Sequence, residues 1–268
     1  MDSSSINFPL PPGTPEQPPE FKRWFADHYD GAAQQVIDFI SADGIPLQGT
    51  IMADVGSGDG IIDLGVLHKA SPAKIVGYDV KQTDAETLRK FADEYGLAEP
   101  FPDAEQLAFV ESLPDRIPAA SASFDIVFSW STFEHVSQPT KMLSEIRRIL
   151  RPHGVLFLQI WPLYYSLHGG HLWYSIRDAY AHLRMSEDEI RAAVEGKPAT
   201  DPRRDAWDEF KSLNRITLDE LDRALLMAGM RPGKVELMSE IVHVPPDLGH
   251  IPLSDLTISG VKLLAQPI

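Results

Sequence analysis

Residues 51–60 read Ile-Met-Ala-Asp-Val-Gly-Ser-Gly-Asp-Gly, a short apolar run that leads directly into three alternating glycines. The apolar run predicts a buried strand, and the glycines predict a tight turn whose backbone passes close to a ligand. A helix after the turn would offer free backbone N–H groups to a carboxylate or a phosphate. This stretch therefore predicts a strand, a ligand-binding turn and a helix.

Buried runs alternate with helical stretches along most of the chain, which predicts a parallel, doubly wound α/β sheet. A helix predicted over 20–42 comes first, and a helix capped by Thr217 and Glu220 precedes the last two strands. Strands are predicted at 50–55, 73–80, 107–110, 124–129, 155–160, 234–244 and 257–266, with helices near 59–70, 84–95 and 138–150. Residues 1–19 are rich in proline and predict an irregular arm.

Composition excludes several classes of protein. The 268 residues carry 24 Lys+Arg against 39 Asp+Glu, and the net charge of −15 counts against nucleic-acid binding. The chain has no cysteine, so disulfides, thiolate metal sites and a cysteine nucleophile are excluded. No secretory signal and no run of 18 apolar residues is visible, so we expect a cytoplasmic protein without a membrane segment.

The glycine spacing indicates whether the turn is of the kind that binds a dinucleotide cofactor. A dinucleotide fingerprint reads G-x-G-x-x-G, and its third glycine would fall on Ile61. The segment instead reads D-x-G-x-G-x-G, starting at Asp54. This pattern disfavours a nicotinamide-dependent oxidoreductase, which stays open as an alternative.

The glycine turn resembles the first motif of the class I S-adenosylmethionine-dependent methyltransferases of the small-molecule type. Later segments are similar to that family's motifs in the family's order: residues 74–79 (KIVGYD), 111–114 (ESLP), 123–127 (SFDIV), 133–136 (FEHV) and 150–154 (LRPHG). His153 stands where the family has a glycine, which is a local departure. The resemblance covers roughly residues 45–162 and 215–267. It implies a three-layer Rossmann-like fold whose doubly wound sheet has seven strands, mostly parallel, of which a C-terminal strand is antiparallel.

The resemblance also implies S-adenosylmethionine as cofactor and supplies a set of binding residues. Asp54 would organise the turn and the methionine ammonium, and Asp79, 25 positions later, would offer two acceptors to the ribose hydroxyls. Glu111 or Ser112 would meet the adenine. The full expected set is Asp54, Gly56, Ser57, Gly58, Gly60, Asp79, Val80, Glu111, Ser112, Leu113, Ser129 and Trp130.

Three classes of methyl acceptor can be excluded from the sequence. Cytosine C5 methylation requires a cysteine nucleophile, and the chain has none. Enzymes that methylate exocyclic amines of nucleic acids usually carry an N-P-P-Y-like tetrapeptide at the position where residues 129–132 read SWST. Protein arginine methylation requires two nearby glutamates after the fourth strand, where Glu134 stands alone. We therefore expect in-line transfer to oxygen or nitrogen of a small metabolite. A protein that binds the cofactor without catalysis is a further alternative.

Residues 161–214 are the most distinctive part of the predicted domain, which spans residues 20–268. This insertion holds eight aromatic side chains of the chain's 24, and we expect it to form a cap over the substrate. An accessory helical cap that serves a homodimer is the alternative. Residues 20–44 are expected to form a helical lid.

Three histidines are candidate bases for the deprotonation of a hydroxyl acceptor: His135, His168 and His171. Some related RNA methyltransferases bind a divalent ion through an E-x-x-E-H motif and a later histidine. Here Glu134 and His135 match, but Ser131 replaces the first glutamate. We therefore expect no bound metal and keep the metal-dependent variant as a minor alternative.

Overall fold

A seven-stranded sheet forms the centre of the computed structural model, which describes residues 20–201 and 204–268. The predicted arm over residues 1–19 lies outside the described residues. The strands are β1 (Ile51–Val55), β2 (Lys74–Asp79), β3 (Leu107–Glu111), β4 (Phe124–Trp130), β5 (Leu150–Ile160), β6 (Met230–Ser239) and β7 (Ile258–Pro267). Their order is β3-β2-β1-β4-β5-β7-β6, and β7 alone runs antiparallel to its neighbours. This topology confirms the fold predicted from the sequence.

Helices cover both faces of the sheet, because side chains of successive strand residues point to opposite faces. They are α1 (Phe21–Ala26), α2 (Ala33–Ser41), α3 (Ile61–Ala70), α4 (Ala85–Tyr95), α5 (Pro139–Ile149), α6 (Ala181–Arg184), α7 (Glu187–Val194), α8 (Ala206–Ser212), α9 (Leu218–Met227) and α10 (Leu253–Thr257). Helices α5 and α9 pack on the face that carries Ala53 and Val127. Helices α1 to α4 pack on the face that carries Met52 and Phe128, which completes three layers.

The predicted N-terminal helix is continuous but not uniform. A π-helical turn, Asp27–Ala32, joins α1 to α2. Such turns arise where an extra residue is accommodated in a helix, often at functional sites. Here the turn lies between Trp24 and Gln35, two residues that face the large cavity described below.

Strand β6, which pairs with β7 at the edge of the sheet, differs from the sequence prediction. Strand β6 begins at Met230 rather than at residue 234, and a bulge between Pro232 and Lys234 interrupts its pairing with β7. Pro232 and Gly233 are residue types that favour turns, but an edge strand tolerates a proline because one side of it needs no hydrogen bonds. Within residues 20–201 and 204–268, no helix has the length and apolar character to span a membrane.

The insertion over residues 161–214 builds a small core of its own. Helices α6, α7 and α8 lie in it, and Ile190 and Val194 of α7 pack against Phe210 of α8. The insertion is therefore partly helical, and its helices of four, eight and seven residues are too short to show a long helical period in the sequence.

Candidate active site

A cavity of about 790 Å³ opens at the carboxyl ends of β1, β2 and β4. Open α/β sheets bind ligands at this edge, next to the point where the strand order reverses, which here lies between β1 and β4. The volume falls in the range of about 300–1,000 Å³ that small-molecule sites occupy. Residues of α1, of the glycine turn, of the β2 and β4 ends and of the insertion all face it.

The glycine turn is held in shape by backbone hydrogen bonds. Gly56, Gly58 and Gly60 have φ angles of 90°, 58° and 77°, a left-handed conformation that favours glycine. The N–H group of Gly56 donates to the Tyr78 carbonyl at 2.7 Å, and that of Gly58 donates to the Asp79 carboxylate at 3.0 Å. The turn and the end of β2 therefore form one rigid wall of the cavity.

Two buried carboxyl groups lie behind this wall. Asp54 at the end of β1 is 2% exposed and Asp63 in the first turn of α3 is 0% exposed. Burial raises the pKa of both groups well above the ordinary range, and the negative charge of Asp63 raises that of Asp54 further. Because neither Asp54 Oδ1 nor the Asp63 oxygens meet an N–H or O–H donor of the described residues, the pair is expected to share a proton.

Replacing Asp63 with asparagine should make stability less dependent on pH. The folded-state pKa of each carboxyl lies above its unfolded value, so the folded state binds more protons and stability falls as pH rises from about 4. In Asp63→Asn, one of these groups is gone and the amide can donate to Asp54. The Tm of the variant relative to wild type should therefore be higher at pH 8 than at pH 5. Asp93→Asn, at an exposed position on α4, is the control, and equal differences at both pH values would contradict the shared proton.

The N-terminal helix contacts the glycine turn directly. Trp24 Nε1 donates to Asp59 Oδ2 at 2.8 Å, and the His28 ring packs on the Trp24 ring with centroids 4.0 Å apart. Both aromatic rings face the cavity. Tyr29, by contrast, is buried in the core and bonds to His68.

The opposite wall carries a cluster of one carboxyl and two imidazoles. Glu134 and His135 lie in the 3-10 turn after β4, and His171 lies in the insertion. One ligand atom from each residue lies within 4.8 Å of the others. Burial lowers the pKa of His135 to about 2 and raises that of Glu134 to about 8, so both side chains are uncharged at neutral pH.

The insertion is tied to this cluster through polar contacts. His171 Nδ1 lies 3.4 Å from Glu209 Oε1 on α8, and His135 Nδ1 lies 2.7 Å from Ser212 Oγ. Asn214 Nδ2 donates to the carbonyls of Phe133 and Val136, which brackets the turn that carries Glu134 and His135. The segment after α8 therefore fixes the position of the turn after β4.

Parts of the sequence and the fold are similar to those of known proteins. Residues 53–158 match the family model described as a methyltransferase domain. In this part of its sequence the chain is similar to the class I S-adenosylmethionine-dependent methyltransferases. A ubiquinone biosynthesis O-methyltransferase of Actinobacillus pleuropneumoniae is 28% identical over 121 residues, which cover 45% of this chain and 50% of that protein. The chain thus spans about half the length of this relative.

Two further methyltransferases are similar over part or most of the chain. A probable methyltransferase of Aspergillus luteorubrus is 31% identical over 107 residues, which cover 38% of this chain and 37% of that protein. The solved structure of a sarcosine dimethylglycine methyltransferase from Galdieria sulphuraria covers 92% of this chain and 98% of its own, with a TM-score of 0.56 and 11% identity. At that identity the likeness shows the fold alone.

The structure brings most of the predicted residues to one cavity. Those that line it are Gly56, Ser57, Gly58, Asp79, Val80, Ser112, Trp130, His135 and His171. Asp54 lies buried behind the turn, and Ser129 is buried with its hydroxyl donating to the Val55 carbonyl. Gly60, Glu111, Leu113 and His168 do not line the cavity, and His168 instead contacts the Trp173 ring.

Several cavity residues were not predicted from the sequence. Trp24 and Glu209 carried no local motif, because their partners Asp59 and His171 lie 35 and 38 residues away in the chain. Glu134 was considered from the sequence only beside His135, as a ligand in the minor metal-dependent alternative. Its burial at 3% exposure is the signal that only the structure supplies.

The residues of this cavity fit S-adenosylmethionine. The glycine backbone leaves room for close approach, and Asp79 presents its carboxylate at the cavity wall. Asp54 lies behind the turn and does not reach the cavity, while Asp59 lines it beside Asp79. Two acids and a glycine turn at one sheet edge suit a ligand that carries an ammonium group and vicinal hydroxyls.

Proposed function

We propose that this protein transfers the methyl group of S-adenosylmethionine to an oxygen or nitrogen atom of a small molecule. The observation that carries the proposal is one continuous cavity, which joins the glycine turn to the aromatic and imidazole side chains of the insertion. The O-methyltransferase relative supports oxygen as the acceptor atom.

The proposed binding of the cofactor uses residues on the side of the cavity that carries the glycine turn. Asp79 accepts hydrogen bonds from the two ribose hydroxyls, while Ser112 and Val80 border the adenine. The backbone from Gly56 to Gly58 passes beneath the methionine portion. The cofactor supplies a methyl group on a positively charged sulfur, which is already activated for displacement.

The chain's own contribution is alignment and exclusion of water. The insertion places His171 and Trp173, and the turn after β4 places His135, on the side of the cavity opposite the glycine turn. An acceptor held between these two walls faces the cofactor in line. The 161–214 insertion is therefore proposed as a substrate cap, and a homodimer remains a separate prediction.

Transfer of a labelled methyl group tests the function. Purified protein is incubated with methyl-labelled S-adenosylmethionine and a fractionated metabolite pool, and labelled product and S-adenosylhomocysteine are measured together by mass spectrometry. We expect both to appear in equal amounts in an active fraction. Calorimetric binding of the cofactor without any turnover would instead favour a non-catalytic protein, and binding of NADH but not of S-adenosylmethionine would favour an oxidoreductase.

Residues 20–44 are proposed as a lid because Trp24 closes on the glycine turn. In Trp24→Phe the hydrogen bond to Asp59 is lost while the apolar ring remains. We expect cofactor dissociation to become about 3–10-fold faster, which corresponds to about 0.5–1.5 kcal/mol for a hydrogen bond. Stopped-flow fluorescence measures the rate. Phe21→Leu, at a position in α1 outside the cavity, is the control, and an unchanged rate in Trp24→Phe would remove the lid role.

A further inference from the structure

The cluster of Glu134, His135 and His171 contains polar atoms for which folding provides no partner. Glu134 is 3% exposed and His171 is 6% exposed. Both Glu134 carboxyl oxygens and His171 Nε2 are buried without a hydrogen bond among the described residues. A buried polar atom without a partner costs about 1–3 kcal/mol, so three of them at one point indicate a ligand.

Each histidine of the cluster is fixed by a hydrogen bond on its Nδ1 side. Ser212 Oγ donates its hydrogen to the Glu209 carbonyl at 2.7 Å, so it accepts from His135 Nδ1–H. His171 Nδ1 faces the Glu209 carboxylate at 3.4 Å. That carboxylate is itself held by the N–H group of Thr200 at 2.8 Å and that of Asp201 at 3.2 Å.

These contacts assign the same tautomer to both imidazoles. With Nδ1 protonated, each ring keeps a lone pair on Nε2. In His171 this Nε2 atom is buried without a hydrogen-bond partner among the described residues. A histidine that donates one N–H to a carboxylate or hydroxyl while its other nitrogen stays free is the arrangement found around protein-bound metal ions.

The backbone supports this interpretation. His171 has a φ of 56°, an uncommon conformation for a residue other than glycine. Strained backbone of this kind concentrates at functional sites. Arg204, the nearby cation, bonds to Asp201 and Ser212, and no hydrogen bond from it reaches the Glu134 oxygens.

We propose that Glu134, His135 and His171 bind one divalent transition-metal ion at the wall of the cavity. Two imidazoles and one carboxylate suit Zn²⁺, Mn²⁺, Fe²⁺ or Co²⁺, whereas Mg²⁺ and Ca²⁺ prefer oxygen ligands. Three protein ligands leave coordination positions open. The site faces the same cavity as the glycine turn.

The role of the ion rests on the proposed function. An acceptor hydroxyl bound at an open position would lose its proton to water more readily, because a metal ion lowers the pKa of a bound hydroxyl. The oxygen lone pair then forms the O–CH₃ bond as the C–S bond breaks, and the electron pair of that bond stays on sulfur as a neutral thioether. The released proton balances the lost positive charge.

Direct metal binding tests the proposal without any turnover. Full-length protein is stripped with EDTA, dialysed and titrated with Zn²⁺, Co²⁺ or Mg²⁺ in separate experiments by calorimetry. We expect about one equivalent of Zn²⁺ or Co²⁺, weak or no binding of Mg²⁺, and visible absorption of the Co²⁺ form. Since the chain has no cysteine, thiolates cannot bind the added ion.

Matched variants locate the ion. Glu134→Gln and His171→Gln should each lose at least tenfold in Zn²⁺ affinity, and Ser212→Ala, which removes the partner of His135, should lose about 10-fold. His153→Gln, an exposed histidine after α5, should bind Zn²⁺ like wild type. Circular dichroism and calorimetric binding of S-adenosylmethionine check that each variant is folded.

Two outcomes would overturn the proposal. One is wild-type protein that binds no Zn²⁺ or Co²⁺, and the other is equal binding by wild type, Glu134→Gln and His171→Gln, which would mean an adventitious ion only. X-ray absorption of the wild-type Zn²⁺ form gives a result that needs no variant, since two imidazole ligands are expected. Metal binding without methyl transfer would refute the proposed function alone, while full methyl transfer by metal-free protein would refute the catalytic role of the ion alone.

Discussion

Replacing Asp79 with alanine should weaken the binding of S-adenosylmethionine by about 1–3 kcal/mol, or roughly 5–150-fold in Kd. The carboxylate faces the cavity and is proposed to accept hydrogen bonds from both ribose hydroxyls. Its Oδ2 also accepts the Gly58 N–H group, so the variant loses both the ligand contact and a brace of the glycine turn. Isothermal titration calorimetry measures the loss.

Two further variants separate these two contributions. Asp103→Ala is the matched control, because this aspartate also accepts backbone N–H groups, those of Glu105 and Gln106, but lies outside the cavity. It should bind the cofactor like wild type. Asp79→Asn keeps an acceptor for Gly58 and should lose less affinity than Asp79→Ala. Unchanged affinity in Asp79→Ala would refute the ribose assignment.

Replacing Gly169 with alanine should destabilise the cap strongly. A Cβ atom at this position would lie 2.0 Å from the Tyr164 carbonyl oxygen and 2.3 Å from that of Leu163. Both neighbours are backbone atoms, so relief requires the loop that carries His171 to move. We expect a loss of about 3 kcal/mol in the free energy of unfolding, the scale of overpacking in a tight interior. Urea denaturation measures it.

The same substitution at Gly31 is the control, since no atom lies within 4 Å of its Cβ position. Its effect should stay within about 1 kcal/mol, the usual difference between glycine and alanine in a helical segment. Gly169→Ala should also lower methyl transfer, because the displaced loop carries His171. Wild-type stability of Gly169→Ala would show that the loop between Leu163 and His171 is not tightly packed.

The sequence by itself determined the fold and the place of the glycine turn at the edge of the sheet. The local periodicity of apolar residues predicts each βαβ unit. The glycine turn after β1 is recognisable from five consecutive residues, 56–60. Asp54 and Asp79 follow from the same rule, because neighbouring parallel strands end at one edge of the sheet. The boundaries of β6 were misplaced because Pro232 and Gly233 signal a turn in isolation, whereas an edge strand admits them.

Only the tertiary structure decided how the wall that carries Glu134, His135 and His171 is built. His135 meets Ser212 across 77 residues, and His171 meets Glu209 across 38. No spacing within a helix or a strand connects such partners, and the sequence ranked His135, His168 and His171 alike. Folding joined two of them to Glu134 and turned His168 toward Trp173. The physical reason is that the insertion packs through its own core, so the direction of each side chain depends on contacts that no local pattern encodes.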